Sequence, residues 1–533
     1  MDEINFFLDI EKSIMTNKYI ELLDSYERKM IYFLSRFTST CVFVLINKTI
    51  IFHNYNMDCK QNDYEKYERG KHCSLRMLLS LPEYYYKNIV VCGNEQILDY
   101  DEMVDELLEH LVCLEMIYYY YPCRNQTKVN MDSNTEFYMN YFKSYYFDYP
   151  EISAEKYIDF FEENAAISQK VFQVKNIKET IMEALVFQEF EKNLYSIRGI
   201  QRFICKIRHK VDFKKEGIWL TFPISIIQFL FTVKNLRYEE FIKKYVYNIT
   251  DKRSVQYSRM IDVIASEDTR IALISNNNIC FPRNYYWINR WYTYVWKSYE
   301  ISKNNEDGKT YKSDKHENEI KSVLEKYFAK DKVYSGVYLK RKKGQYAEKD
   351  FIVVFNDYVI SFEAKSKLLP APFLGVEDGL EDIKIKCNEA IEKAIQQGNE
   401  IKQAIAEKKA FFYDTNEKEG KVVLDLNGYS EKKFIQVALM YEEFLNVETN
   451  IEHIYKDNIN FWLSDVKTLD TILRDTFGKG EGQKFINYIN KRMNAYGLID
   501  VQSGEELKMY QAYKTFPVFF EERRPDIGIK VRI

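Results

Sequence analysis

Residues 346–366 read Tyr-Ala-Glu-Lys-Asp-Phe-Ile-Val-Val-Phe-Asn-Asp-Tyr-Val-Ile-Ser-Phe-Glu-Ala-Lys-Ser. Two runs rich in β-branched and aromatic residues, Asp350–Phe355 and Tyr358–Lys365, flank Asn356-Asp357. That dipeptide predicts a two-residue turn, and so a hairpin with Phe355 opposite Tyr358. Counting back, Asp350 stands opposite Glu363, and Glu348 opposite Lys365. Side chains alternate between strand faces, so Glu348, Asp350, Glu363 and Lys365 share one face. Phe351, Val353, Phe355, Ile360 and Phe362 share the other, which is core. Directly opposed Cβ atoms lie about 4.5–5.5 Å apart, and two carboxylates that close repel unless a cation lies between them. Oxygen ligands suit magnesium or manganese. A three-residue loop would flip one strand and break this pattern. The bland alternative is a solvated hairpin end with a Glu348–Lys365 pair, worth under about 1 kcal/mol.

The flanking elements agree with this placement. A helix over about His316–Ala329 has an apolar face of Ile320, Val323, Leu324, Tyr327 and Phe328. Glu317 projects onto that face and Glu319 away from it; an acid turned toward a sheet that already holds acids needs a reason. A strand follows over Lys332–Arg341. A long helix covers about Leu380–Lys409, with a stripe of Ile383, Cys387, Ala390, Ile391, Ala394, Ile401 and Ile405. Lys386, Lys393 and Gln397 border the stripe, within reach of a phosphate at the sheet edge. Strands are expected at Phe434–Met440 and Asn460–Leu463, and Ser464 or Asp465 caps a helix over Thr468–Leu473. The order is helix, three strands, helix, strand: a mixed α/β layer with helices over the sheet.

At this point the residues carry a resemblance. Tyr346–Phe355 followed by Val359–Ser366 resembles the PD-(D/E)XK nuclease superfamily, of the restriction-endonuclease-like fold, and its E-x-D…E-x-K form is similar to the nuclease-related and restriction-type branches. The likeness runs from about His316 to Leu439 and leaves residues 1–300 unassigned. It implies that Asp350 and Glu363 bind the metal, joined by the backbone carbonyl of Ala364. It implies that Lys365 orients or deprotonates the attacking water and stabilises charge on the phosphate. Glu317 matches the acid that many members place on the first helix, and Gln397 falls near a helix glutamine that some carry. Lys349 stands where the name-giving proline would be. The implied chemistry is magnesium- or manganese-assisted hydrolysis of a phosphodiester, of DNA before RNA, in a setting such as restriction or anti-phage defence. Members often cut duplexes as dimers, which makes a homodimer an expectation of the resemblance alone.

The rest of the chain bounds this picture. It has 533 residues, 46% hydrophobic and 29% charged, enough for about three independent cores. With 44 Tyr and 36 Phe spread along the whole length, aromatics read as packing mass rather than base-stacking platforms. The net charge of −4 excludes a globally basic nucleic-acid binder, so any footprint must be local. Lys340-Arg341-Lys342-Lys343 is one such stretch, and Arg198 to Lys215 another. Nine cysteines (41, 59, 73, 92, 113, 123, 205, 280 and 387) contain no C-x-x-C pattern and read as reduced thiols. The acidic N-terminus is unlike a signal peptide, and Ile218–Val233 is too short and polar for a good span. The expectation is a cytoplasmic protein without membrane contact.

Residues 1–301 read as mainly helical, with helices capped by Asp101 and Ser153, another over Lys178–Tyr195, and one hairpin of Cys41–Asn47 with Thr49–His53. Ser302–Lys315 is almost without large side chains and reads as a linker. The expected domains are therefore 1–301 (recognition, sensing or partner binding), a 302–315 linker, 316–475 (nuclease-like) and a 476–533 C-terminal extension. Gly478-Lys-Gly-Glu-Gly482 lacks phosphate-loop spacing and reads as an inter-helix turn. Three functional readings are expected to compete. One is a two-part nuclease; one is a binding or scaffold protein whose nuclease-like fold is inactive; one is a nuclease silent until a ligand or partner binds residues 1–301.

Overall fold

Burial of apolar helix faces and sheet faces against one another organises the chain into two compact units: Met1–Lys128 with Tyr146–Gly308, and Val129–Tyr145 with Lys309–Ile533. The computed structural model describes residues 3–39, 41–46, 48–49, 73–89, 93–126, 132–147, 219–225, 228, 232, 238–247, 257–264, 272–275, 277–282, 306–341, 345–365, 372, 375–417, 420–441, 444, 446–455, 459–496 and 506–520. Expectations at Ser153, Lys178–Tyr195, Arg198–Lys215, Lys342 and Lys343 lie outside the described residues.

The first unit contains helices α1 (Glu3–Met15), α2 (Tyr19–Ser35), α3 (Leu75–Asn88) and α4 (Tyr100–Tyr119). The Asp99 carboxylate caps α4 by accepting from the Asp101 and Glu102 N–H groups; the cap is thus Asp99, two residues ahead of the expected Asp101. Val104, Leu107, Leu108 and Leu111 are buried as the spacing predicts, while Val112 and Met116 are half-buried. Helix α5 (Ser133–Tyr146) lies, but for its last residue, in the second unit. The expected hairpin is overturned: residues 41–46 are helical. Strands occur instead further along, as β1 (Trp219–Pro223), β2 (Val246–Tyr247), β3 (Ala272–Ser275) and β4 (Asn278–Pro282), in the order β1-β4-β3-β2. Helices α6 (Tyr238–Tyr245) and α7 (Met260–Ile264) fall between them. Buried Glu27 of α2 ties this unit together: it accepts from the hydroxyls of Tyr84 and Tyr118 and from the Met260 N–H. Burial pushes its carboxyl above the usual range even against those bonds. Tyr84, Tyr85 and Tyr118 are all core residues here, so these tyrosines serve packing.

The second unit opens with α8 (Glu306–Tyr327), which begins ten residues ahead of His316, so most of the expected 302–315 linker is helix. It continues with β5 (Val333–Lys340), β6 (Tyr346–Phe355), β7 (Tyr358–Lys365) and α9 (Val376–Ala406). Then come the short strands β8 (Phe411–Tyr413) and β9 (Val422–Asp425), which the strand pattern did not predict, and β10 (Phe434–Met440) and β11 (Trp462–Asp465). Helices α10 (Val466–Thr476), α11 (Gly482–Ala495) and α12 (Glu506–Thr515) close the unit. The seven strands form one mixed sheet in the order β11-β10-β7-β6-β5-β8-β9. Strands β7, β10 and β11 run parallel and the other pairs antiparallel.

One face of the sheet packs Phe351, Val353, Ile360, Phe362, Ile435, Val437 and Leu439 against Ile320 and Leu324 of α8 and residues of α10, α11 and α12. The stretch expected as a 476–533 C-terminal extension supplies Phe485, Ile486, Tyr488, Ile489 and Tyr510 to this same core. The other face packs Val337, Leu339, Ile352, Val354 and Val359 against Ile401 and Ile405 of α9. Every residue of the expected α9 stripe is buried. Gly398 leaves room for the Gln436 side chain, whose amide donates to the Ala394 carbonyl and whose amide carbon would lie 2.2 Å from a Cβ there. Asp465 caps α10, as one of the two expected residues. Gly480, with φ of 73°, makes the turn between α10 and α11.

Candidate active site

The site forms where two strands abandon their alternation. In β5, Tyr334 and Val337 both face α9 although they are three positions apart, an odd spacing. In β6, Ile352 packs on that face, and Lys349 reaches the same helix. This slip of alternation leaves the register unchanged from Ser335↔Phe351 to Val337↔Lys349, and falls at the intervening pair of Gly336 and Asp350. Gly336 has φ of 59°, a left-handed turn within a strand that only glycine adopts without strain. Asp350 therefore departs from the regular pleat. The β6–β7 ladder runs from Phe355↔Tyr358, the expected turn pair, to Phe351↔Phe362 and ends there. Beyond it, Asp350 Oδ2 accepts the Ala364 N–H at 2.8 Å, so the carboxylate takes the place of a strand partner.

On β7, Glu363 pairs with Ala438 of β10 and faces α9, as do Ser361 and Lys365. Glu363 is fully buried, and Ser361 donates to its Oε1 at 3.1 Å. Its Oε2 has no hydrogen-bond partner; the Lys365 ammonium stands 3.8 Å away. Lys365 Nζ lies 3.7 Å from Asp350 Oδ2 and donates to Gln397 Oε1 of α9 at 2.9 Å. Asp350, Glu363, Lys365 and Gln397 thus come together as the sequence predicts. Glu348 does not: it pairs with Tyr338 and is exposed, so neither the expected four-residue face nor the Glu348–Lys365 pair exists. The cause is the slip at Asp350, which an unbroken period of two cannot foresee.

Burial, and then the neighbouring Asp350 carboxylate, push Glu363 up to about 8; Lys365, Lys349 and Ser361 pull it down in part. Glu317, half-buried on α8, is also raised, by burial first and then by Asp350, Asp314 and Glu348, against a 3.2 Å bond from Ser313. Its position near Asp350 fits the helical-wheel expectation. Two raised carboxyls stand near a third, an excess of negative charge that a nearby cation would relieve. Among the described residues no group of three or more His, Cys, Asp or Glu side chains is placed to hold a metal ion. A site here would therefore rest on two carboxylates and main-chain or solvent oxygens. His316 is buried in α8, with Nε2 3.1 Å from the Leu439 carbonyl oxygen, and serves packing between helix and sheet.

The cations expected to meet phosphate divide. Lys340 and Lys393 are exposed. Arg341 is bonded to Glu400, and Lys386 to Asp382 one turn earlier on its own helix. The sequence reading gave Lys349 no role beyond its place before Asp350, and did not single out Glu400. Lys349 is fully buried and donates to the Gln397 carbonyl at 3.0 Å and to Glu400 Oε2 at 2.7 Å. Alternation from Phe351 puts Lys349 on the face opposite α9, so a period of two does not foresee these partners. The nearest acid at helical spacing from Gln397 is Glu400.

No protein-family model matches the chain, and no curated protein or solved structure matches it.

Proposed function

We propose that the second unit is a metal-dependent nuclease hydrolysing phosphodiester bonds, of DNA before RNA. The observation that carries this reading is the buried Glu363 oxygen that has no hydrogen bond, set beside Asp350 and the Lys365 ammonium. Asp350, Glu363 and the Ala364 carbonyl would hold magnesium or manganese. Such an ion would lower the pKa of a bound water and offset negative charge on the phosphate. Gln397 restrains Lys365, whose ammonium orients the water and faces the growing negative charge. Glu317, already raised, is suited to accept a proton. The test is nicking of supercoiled plasmid with magnesium or manganese. Wild type is expected to cut, with Lys365→Ala and Glu363→Ala slower by 100-fold or more, as an order of magnitude. Activity unchanged in Lys365→Ala would remove this assignment.

The engagement of Arg341 by Glu400 and of Lys386 by Asp382 favours a second reading, a binding protein built on an inactive nuclease-like site. A metal-dependent rise in Tm that disappears in Asp350→Ala counts against it.

A further inference from the structure

We propose that Lys349 is a positioning residue: its buried ammonium holds the Gln397 carbonyl and, through Gln397, sets the Lys365 ammonium. The inference deepens the nuclease reading and rests on it for its kinetic arm.

Gln397 is gripped twice. Lys349 Nζ holds its main-chain oxygen at 3.0 Å, and Lys365 Nζ holds its side-chain oxygen at 2.9 Å. The two lysines come from adjacent strands, β6 and β7, and flank Asp350 and Glu363. Lys349 faces α9 among apolar neighbours: Val337 stands directly opposite it, and Leu339 and Ile352 pack on the same side. A methionine would fill that space without the cost of stripping water from an ammonium. Packing alone thus gives no reason for the charge. An ammonium can do what a thioether cannot, which is to bind a helix carbonyl and a carboxylate together. Glu400 supplies that carboxylate and is itself committed, with its other oxygen bonded to Arg341. Burial pushes the Glu400 carboxyl up, but Lys349 and Arg341 outweigh it and hold the group ionised below its ordinary range. The triad pins α9 to the strand that carries Asp350, one residue from the metal-facing carboxylate.

The experiment takes the full-length chain as wild type, Lys349→Met and Glu400→Gln. Each is assayed for plasmid nicking, Mn2+ affinity and Tm, and each is crystallised. A displacement near 1 Å costs about 100-fold in well-oriented sites. In Lys349→Met, kcat is therefore expected to fall about 10- to 100-fold, with KM within about twofold of wild type. The Lys365–Gln397 bond is expected to open beyond hydrogen-bonding distance. Glu400→Gln should act in the same direction more weakly, and it carries the test should Lys349→Met fail to fold. A merely structural lysine would lower Tm and leave kcat per folded molecule unchanged. The proposal is overturned if the Lys365–Gln397 bond survives in the folded variants, or if their kcat matches wild type. Should wild type neither cut nor bind Mn2+, the nuclease reading fails by itself, and the crystal structures still decide the role of Lys349.

Discussion

Replacing Glu363 by Gln is expected to stabilise the metal-free protein, increasingly as pH rises. The carboxyl goes from an ordinary value of 4.5 to about 8 on folding, because burial and then Asp350 disfavour its charge. A raised carboxyl contributes stability that is complete below the unfolded value and is lost as pH climbs toward the folded one. At about 1.36 kcal/mol per unit, the loss between 4.5 and pH 7 reaches about 3 kcal/mol as a ceiling. Gln keeps the volume and an oxygen to accept the Ser361 hydroxyl, but it brings an amide beside the Lys365 ammonium. The expected gain at pH 7 is therefore about 1–3 kcal/mol, near zero at pH 4.5 and largest above pH 8. For a unit of this size that is roughly 2–10 °C in Tm. Calorimetry in chelator from pH 5 to pH 8.5, wild type beside Glu363→Gln, reads it directly. Saturating magnesium should narrow or reverse the difference, since only wild type gains from the ion. A stability difference flat across that pH range would refute the argument that Glu363 folds against its own charge.

Gly336→Ala tests the strand slip: the nearest atom to a new Cβ is Glu348 Oε1 at 3.7 Å, so the cost is one of backbone conformation, about 1–2 kcal/mol. It should weaken Mn2+ binding by moving Asp350, and titration calorimetry with unchanged affinity would detach Gly336 from the site. Glu506, fully buried, accepts from Trp462 Nε1, Tyr488 and the equally buried Arg492. Glu506→Gln leaves that guanidinium without a counter-charge and should cost about 3–5 kcal/mol by urea denaturation; a loss under 1 kcal/mol would show that the pair is dispensable. A fragment starting at Lys309 lacks α5, whose Phe137 carbonyl accepts from Asn446 and whose Phe137 ring stacks on His453 at 4.7 Å. Such a fragment should melt lower than one with α5 restored, and equal Tm values would show that α5 is not part of this unit's stability.

Much of the second unit was legible because long apolar periods overdetermine their elements. β7 and β10 have the ends that β-branched runs predict, and the α9 stripe is buried without exception. The hairpin turn followed from Asn356-Asp357, and Asn356 takes the positive φ, 53°, that the first central residue of such turns needs. The errors lie where that redundancy is absent. β8 and β9 are three and four residues long and have no alternation to read. The first turns of α8 are polar, and propagation from an already packed helix is cheap even where nucleation is not. Residues 41–46 are rich in β-branched and aromatic residues yet helical, a case of tertiary burial overriding local preference: Val42, Phe43, Leu45 and Ile46 are all core.

The candidate site was legible in its residues and not in its geometry, and the same feature accounts for both. Asp350, Glu363 and Lys365 were found by extending the hairpin register past Phe351↔Phe362, where the ladder stops. Had the pleat continued, Glu348 would have joined them and Asp350 would have stood regularly opposite Glu363. Instead Gly336 lets both strands turn over, Glu348 swings to the exposed side, and Lys349 is carried inward to Gln397 and Glu400. The slip therefore exchanges a solvated carboxylate for a buried ammonium at the edge of the site. That exchange reduces the excess of negative charge around Glu363, since Lys349 is one of the groups that pull its carboxyl down. A single glycine in a strand was the one sequence mark of this rearrangement. Local rules fail at the position where charge must be gathered rather than spread, which is where a functional site is expected to break them.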